Sequence, residues 1–193
     1  MSTKKIWDLV ETAVPEGTDR SDIDIWFQDE SRIGQQGSIN RIWHSKGQRP
    51  RLIRQQQFEY VYIDGAICPS RGESVGLALP VADTQGMRLH LEEISKVVPT
   101  GRHAVVVMDG TGWHQPSLNL WNVSILKLPA YSPELNPVEQ VWQWLKSRYL
   151  SNRCYQGYDQ IIDAICHAWC CFAEQPELIK SIGNRDWAIS WVY

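Results

Sequence analysis

Residues 104–108, AVVVM, contain no side chain suited to water, and the run stops abruptly at Asp109-Gly110. A stretch that short and that apolar reads as a strand covered on both faces, since a half-solvated strand would alternate and a buried helix would run longer. Such a strand needs a layer on each side of its sheet. The chain is therefore confined to architectures that set helices against a buried sheet.

The neighbouring patterns supply those layers. In DIWFQDE, Ile23, Ile25 and Phe27 alternate with Asp24, Trp26 and Gln28, which predicts a strand ending near Asp29. Gly34 with Gly37, then Gly47 with Pro50, mark turns on either side of RIWHS. FEYVYIDGAICP is β-branched and aromatic with an Asp64-Gly65 turn signal inside it, and SVGLALPVA follows, so two or three antiparallel strands are expected. In TQGMRLHLEEISKVVP the period changes: Met87, Leu89, Leu91, Ile94, Val97 and Val98 share a helical face, ended by Pro99 and Gly101. VSILKLPA reads as a second buried strand. Pro133 and Pro137 keep YSPELNP irregular until the second proline opens a helix carrying Val138, Val141, Trp142, Leu145 and Tyr149. A last helix spans about 158–172. The order predicts an α/β fold with a mixed sheet. Residues 1–22, which contain VPEGTDRSD, read as a leader or linker, and 23–193 as one domain.

Several classes are excluded. No run approaches the roughly 18 apolar residues of a membrane span, and the amino end lacks a secretory pattern, so a cytoplasmic protein without membrane contact is expected. Cys68, Cys154, Cys166, Cys170 and Cys171 are odd in number and clustered late, which argues against a disulfide framework. The CHAWCC stretch around His167 offers zinc-type ligands from one helical segment only, with no second pair at ligand spacing. The net charge of -3 is unlike a protein that coats nucleic acid, so any DNA contact must be local.

Three acidic residues occupy positions from which side chains leave a core and face a crevice: Asp29 and Asp109 at strand ends, Glu139 in the first turn of a helix. Taken singly, each has an ordinary account as turn or helix-dipole chemistry. Taken together, three carboxylates at one spot repel one another unless cations occupy it, which implies a divalent metal site. Two hard ions roughly 3.5–4 Å apart suit in-line phosphodiester cleavage without a covalent intermediate.

The blocks WFQDESRIG, VVVMDGTGWH and LPAYSPELNPVEQVWQWLK, in this order, resemble the three acidic motifs of DDE transposases of the mariner superfamily, in its bacterial insertion-sequence branch. The resemblance runs from about Asp24 to Leu150, and the third block is its most specific part. It implies an RNase H-like fold with a mixed five-stranded sheet flanked by helices. It also implies Asp29, Asp109 and Glu139 as catalytic ligands of two Mg²⁺ or Mn²⁺ ions, and double-stranded DNA as substrate, both element ends and target, typically at TA. A homodimer pairing two ends and residence in the bacterial cytoplasm, at the nucleoid when active, follow as expectations. Glu30 and Glu134 do not fall on the acidic letters of the motifs. The interval between the second and third acidic residues is slightly short, around residues 118–122. The 22 residues before Ile23 are too few for the family's helix-turn-helix region, which is expected instead on an upstream-frame polypeptide. An inactive or accessory fragment of a split transposase, or another RNase H-like nuclease, is the alternative.

Secondary candidates surround the triad. Gln28 and Asn136 adjoin ligands in sequence, and His114 lies five residues after Asp109, so these three are expected to support the metal site or position DNA. Arg41, Lys46, Arg49, Arg51 and Arg54 form a basic run beside a predicted hairpin, with Lys146 and Arg148 beyond Glu139, and are candidates for phosphate contact. Among ten tryptophans, Trp113, Trp142 and Trp144 lie nearest the motifs; most tryptophans are expected in the core, with one exposed indole able to stack on an unpaired base.

Overall fold

The computed structural model describes residues 3–37, 39–41, 43, 45–47, 51, 53, 55–110, 118, 120–128 and 136–183, with backbone only for 3–7. Helix α1 (Thr3–Ala13) precedes β1 (Ile23–Gly34), β2 (Tyr60–Cys68) and β3 (Glu73–Leu79). Then come α2 (Thr84–Val97), β4 (His103–Met108), β5 (Val123–Lys127), α3 (Val138–Leu145), a π-helical turn (Lys146–Leu150), α4 (Tyr158–Ala173) and α5 (Pro176–Gly183). The five strands form one sheet in the order β3-β2-β1-β4-β5. β1 pairs antiparallel with β2 and parallel with β4, so the sheet is mixed, as expected.

The apolar run behaves as its composition requires, since all six residues of β4 are buried. On one face Trp26, Ala66, Val106 and Met108 pack against Met87, Leu91 and Ile94 of α2. On the other, Phe27, Ile63, Ile67 and Val107 pack against Val141 and Trp142 of α3 and Ile165, Trp169 and Phe172 of α4. Asp83 caps α2 by accepting from the Gly86 backbone N–H at 2.8 Å, which satisfies a donor left free by the first helical turn.

Five expectations change. β1 does not stop at Asp29 but continues to Gly34, because its antiparallel ladder with β2 outlasts the parallel one, whose last pair is Phe27↔Val107. Asp64-Gly65 is no turn: β2 runs straight through, and Gly65 faces Gly76 of β3. A Cβ on Gly65 would sit 2.5 Å from the Trp142 ring, and one on Gly76 would sit 2.5 Å from the Trp169 ring, so these glycines make room for indoles. Residues 3–13, read as leader, form a helix whose Val10 packs with Ile23 and Val105, and α5 adds an unforeseen helix after α4. VSILK forms β5 at the sheet edge, where its second half is only partly covered.

Candidate active site

The parallel pairing of β1 with β4 ends at Phe27↔Val107, which leaves Asp29 just past the end of β4 and Asp109 just after it. Side chains alternate along a strand, so Asp29 shares the face of Phe27, toward α3, and Gln28 and Glu30 share the face of Trp26, toward α2. Glu139 stands in the first turn of α3, exposed to solvent.

Two contacts tie α3 to β1. Asn136 is buried and donates through Nδ2 to the backbone carbonyl of Gln28 at 2.8 Å, while its Oδ1 accepts from the Val138 N–H at 3.2 Å. That places the turn before α3 one residue from Asp29 in register. The Trp142 indole Nε1 then donates to Asp29 Oδ2 at 2.8 Å, which fixes one carboxylate oxygen and leaves the other unclaimed by that bond. The two residues sit on adjoining parts of one wall because Trp142 follows Glu139 by three positions, a spacing that shares a helix face.

Burial pushes the Asp29 carboxyl up to about 6; the Trp142 bond and the Glu30 backbone hold it down in part, and the charges of Glu139 and Asp109 raise it. Glu139 and Asp109 are thus each within electrostatic reach of Asp29. Among the described residues, no three His, Cys, Asp or Glu side chains close on one coordination point. The donor set nevertheless fits a hard divalent ion: oxygen ligands only, one of them a half-buried carboxyl whose ionisation a nearby cation would favour.

The other candidates divide. Asn136 lies in the site's framework, whereas the Gln28 side chain is buried toward α2 and only its backbone meets Asn136. Glu30 faces away from Asp29, as expected from alternation. Lys146 is partly buried at the start of the π-helical turn, and Arg148 is exposed with its guanidinium 5.1 Å from the Trp144 ring centroid. Arg41, Lys46 and Arg51 are exposed in the connection between β1 and β2, and His114, Arg49 and Arg54 lie outside the described residues, as does Trp113. Sequence reasoning placed Trp142 on the core-facing side of α3 but did not pair it with Asp29. Its three-residue offset from Glu139 was the available signal.

The model of a family described as DDE superfamily endonuclease matches residues 24–162. The chain is 47% identical over 131 residues to the uncharacterized protein y4pE/y4sA of Sinorhizobium fredii, covering 67% of this chain and 97% of that one. It is 22% identical over 152 residues to the uncharacterized 39 kDa protein of insertion element IS630 from Shigella sonnei, covering 74% of this chain and 43% of the other. Among solved structures, the mariner Mos1 paired end complex with Mg matches with a TM-score of 0.61 at 13% identity, over 98% of this chain and 60% of that one. The Mos1 strand transfer complex matches with a TM-score of 0.56 at 16% identity, over 98% and 59%. The chain thus spans about three fifths of the Mos1 chains and less than half of the insertion-element protein. The fold is RNase H-like, as the motif resemblance implied.

Proposed function

The chain belongs to the DDE superfamily of endonucleases, and from that premise we propose that it is the catalytic domain of a transposase that cuts DNA and transfers the cut strand at Asp29, Asp109 and Glu139. The observation that carries the proposal is positional: Asp29 and Asp109 leave the sheet at the end of the β1–β4 pairing, and α3, with Glu139 in its first turn, is bonded to Asp29 through Trp142. Mg²⁺ or Mn²⁺, as two ions held by these carboxylates, would activate the attacking oxygen and stabilise the departing one when bound. The Mos1 complexes with Mg and with Mn support that choice of ion.

The chain's own residues prepare the site. Trp142 holds one oxygen of Asp29, so the carboxyl presents a fixed edge to whatever binds there. Asn136 locks the start of α3 to β1, which sets where Glu139 stands relative to Asp29. Asp109 and Glu139 are exposed and open to the DNA backbone, while Asp29 anchors the site from below. Double-stranded DNA of the element ends and of the target, cut-and-paste movement into TA sites, pairing of two copies across the ends and an upstream-frame helix-turn-helix partner all belong to this reading. Insertion-element kinship of the IS630 relative supports it.

Strand cleavage tests it. The full chain, supplied with its element-end DNA, its upstream partner polypeptide and Mg²⁺, is expected to nick the end, and Asp109→Ala is expected to reduce nicking to background. Equal cutting by both proteins, or none by either, would refute the proposal and favour an accessory fragment.

A further inference from the structure

We propose that His167 and Cys171, on the outer face of α4, are one half of a zinc-binding site that the same pair from a second copy of the chain completes. The CHAWCC stretch has no part in the proposed cleavage chemistry, and within one chain it offers no second ligand pair at zinc spacing. A second copy supplies that missing pair.

Geometry comes first. His167 and Cys171 stand four residues apart on α4, so their side chains leave one face of the helix a turn apart. The Cys171 Sγ lies 3.7 Å from His167 Nε2 and 3.9 Å from Nδ1. A tetrahedral zinc ion, with bonds of ~2.3 Å to sulfur and ~2.0 Å to nitrogen, sets two such ligands roughly 3.6 Å apart. The pair already stands at the spacing that this ion needs.

A second element backs the pair. Tyr149, in the π-helical turn, sets its ring edge-on to His167, with centroids 5.8 Å apart at 83°, and its hydroxyl is within hydrogen-bonding reach of the Cys171 thiol. Tyr149 packs in turn on Trp144 at 5.5 Å, and Trp144 on the core residue Phe172 at 5.6 Å. Imidazole and thiol are therefore held against an anchored aromatic wall, which lowers the cost of ordering them around an ion. Sulfur with imidazole selects zinc over the hard ions that suit the carboxylates at the sheet's end.

Two ligands do not close a zinc site. A structural zinc takes four, and among the described residues no third His, Cys, Asp or Glu converges with this pair. His167 is exposed and Cys171 partly so, with Cys166 and Cys170 exposed beside them, so α4 presents the pair outward. A two-fold axis through such a face sets the pair against its own copy, because an isologous contact matches each patch with itself. Two sulfurs and two nitrogens then enclose the ion as a tetrahedron, each thiol giving up its proton on binding.

The test uses the full chain, reduced and stripped of metal, titrated with Co²⁺, which takes zinc's place and reports its ligands by colour. A near-ultraviolet charge-transfer band from thiolate to cobalt and the strong visible absorption of a tetrahedral ion are expected, saturating at about half an ion per chain and erased by Zn²⁺. Sedimentation is expected to show a Zn²⁺-dependent dimer. Cys171→Ser is expected to remove the band, and His167→Ala to weaken Zn²⁺ binding by at least the ~10–100-fold that even an outer-shell partner is worth, with the dimer lost in both. Cys170→Ser and Asp29→Asn are expected to keep band and dimer, which separates the pair from its neighbouring thiols and from the acidic site. No charge-transfer band, a band that survives Cys171→Ser, saturation at one ion per chain, or association indifferent to Zn²⁺ would overturn the inference and leave the proposed function untouched.

Discussion

Asp29 carries a charge that its half-buried place disfavours. Its carboxyl is raised from 3.8 to about 6, chiefly by burial, so the folded protein holds this proton more tightly than the unfolded chain. The stabilising contribution of the protonated form is therefore fully present below pH 3.8 and lost as the pH rises through about 6. At pH 7.5 without metal, Asp29→Asn is expected to raise stability by on the order of 2–3 kcal/mol at most, and to have little effect at pH 4, as thermal denaturation at the two pH values would read. An equal gain at both would mean that the charge is not the cause. Trp142→Phe removes the indole N–H that lowers this carboxyl and fixes its edge; Mn²⁺ affinity by titration is expected to fall about tenfold. The motifs single out Asp29, Asp109 and Glu139 in the sequence, because each falls on an acidic letter. The donor to Asp29 was not legible, because a tryptophan at a core position of α3 satisfies the apolar pattern whether or not its N–H has a job.

At the scale of elements, the β4 run was readable because a strand buried on both faces leaves no polar alternation. β2 was misread at Asp64-Gly65 for a reason that lies in another part of the chain. Gly65 and Gly76 are register partners, and the rings of Trp142 and Trp169 lie where their side chains would be. A local turn signal cannot reveal that an indole more than seventy residues away needs the space. Gly76→Ala is accordingly expected to cost about 1–3 kcal/mol in denaturant unfolding, through overpacking against Trp169; an unchanged midpoint would show that the ring moves aside freely. The helix over residues 3–13 escaped notice because the turn-rich VPEGTDRSD stretch after it drew the whole segment into a linker, although Ile6, Val10 and Ala13 recur at helical spacing in the sequence and Val10 meets Ile23 and Val105.

Across the whole molecule, charge is spent at two opposite ends of the sheet. Far from the acidic site, Asp24 at the start of β1 is buried and receives Arg102 Nε at 2.8 Å and Nη2 at 2.6 Å, with Arg71 Nε 3.9 Å away. This pair ties β1 to the beginning of β4. Arg102→Ala takes both guanidinium hydrogen bonds from a buried carboxylate and leaves it only the more distant Arg71, so it is expected to destabilise the fold by about 2–4 kcal/mol, while Mn²⁺ affinity of the folded fraction stays unchanged; a parallel loss of affinity would show that the two ends are coupled. The net charge of -3 carries no broad basic footprint, so a phosphate contact on this chain would have to be local. No helix among the described residues is long and apolar enough to cross a membrane. If Asp29, Asp109 and Glu139 act as one divalent-ion site, calorimetric titration with Mn²⁺ at pH 7.5 in the presence of DNA will read it. Saturable binding by the wild-type chain, at least about tenfold weaker in Asp29→Asn, Asp109→Ala and Glu139→Gln alike, is the expected result; no binding, or binding that survives all three substitutions, would contradict it.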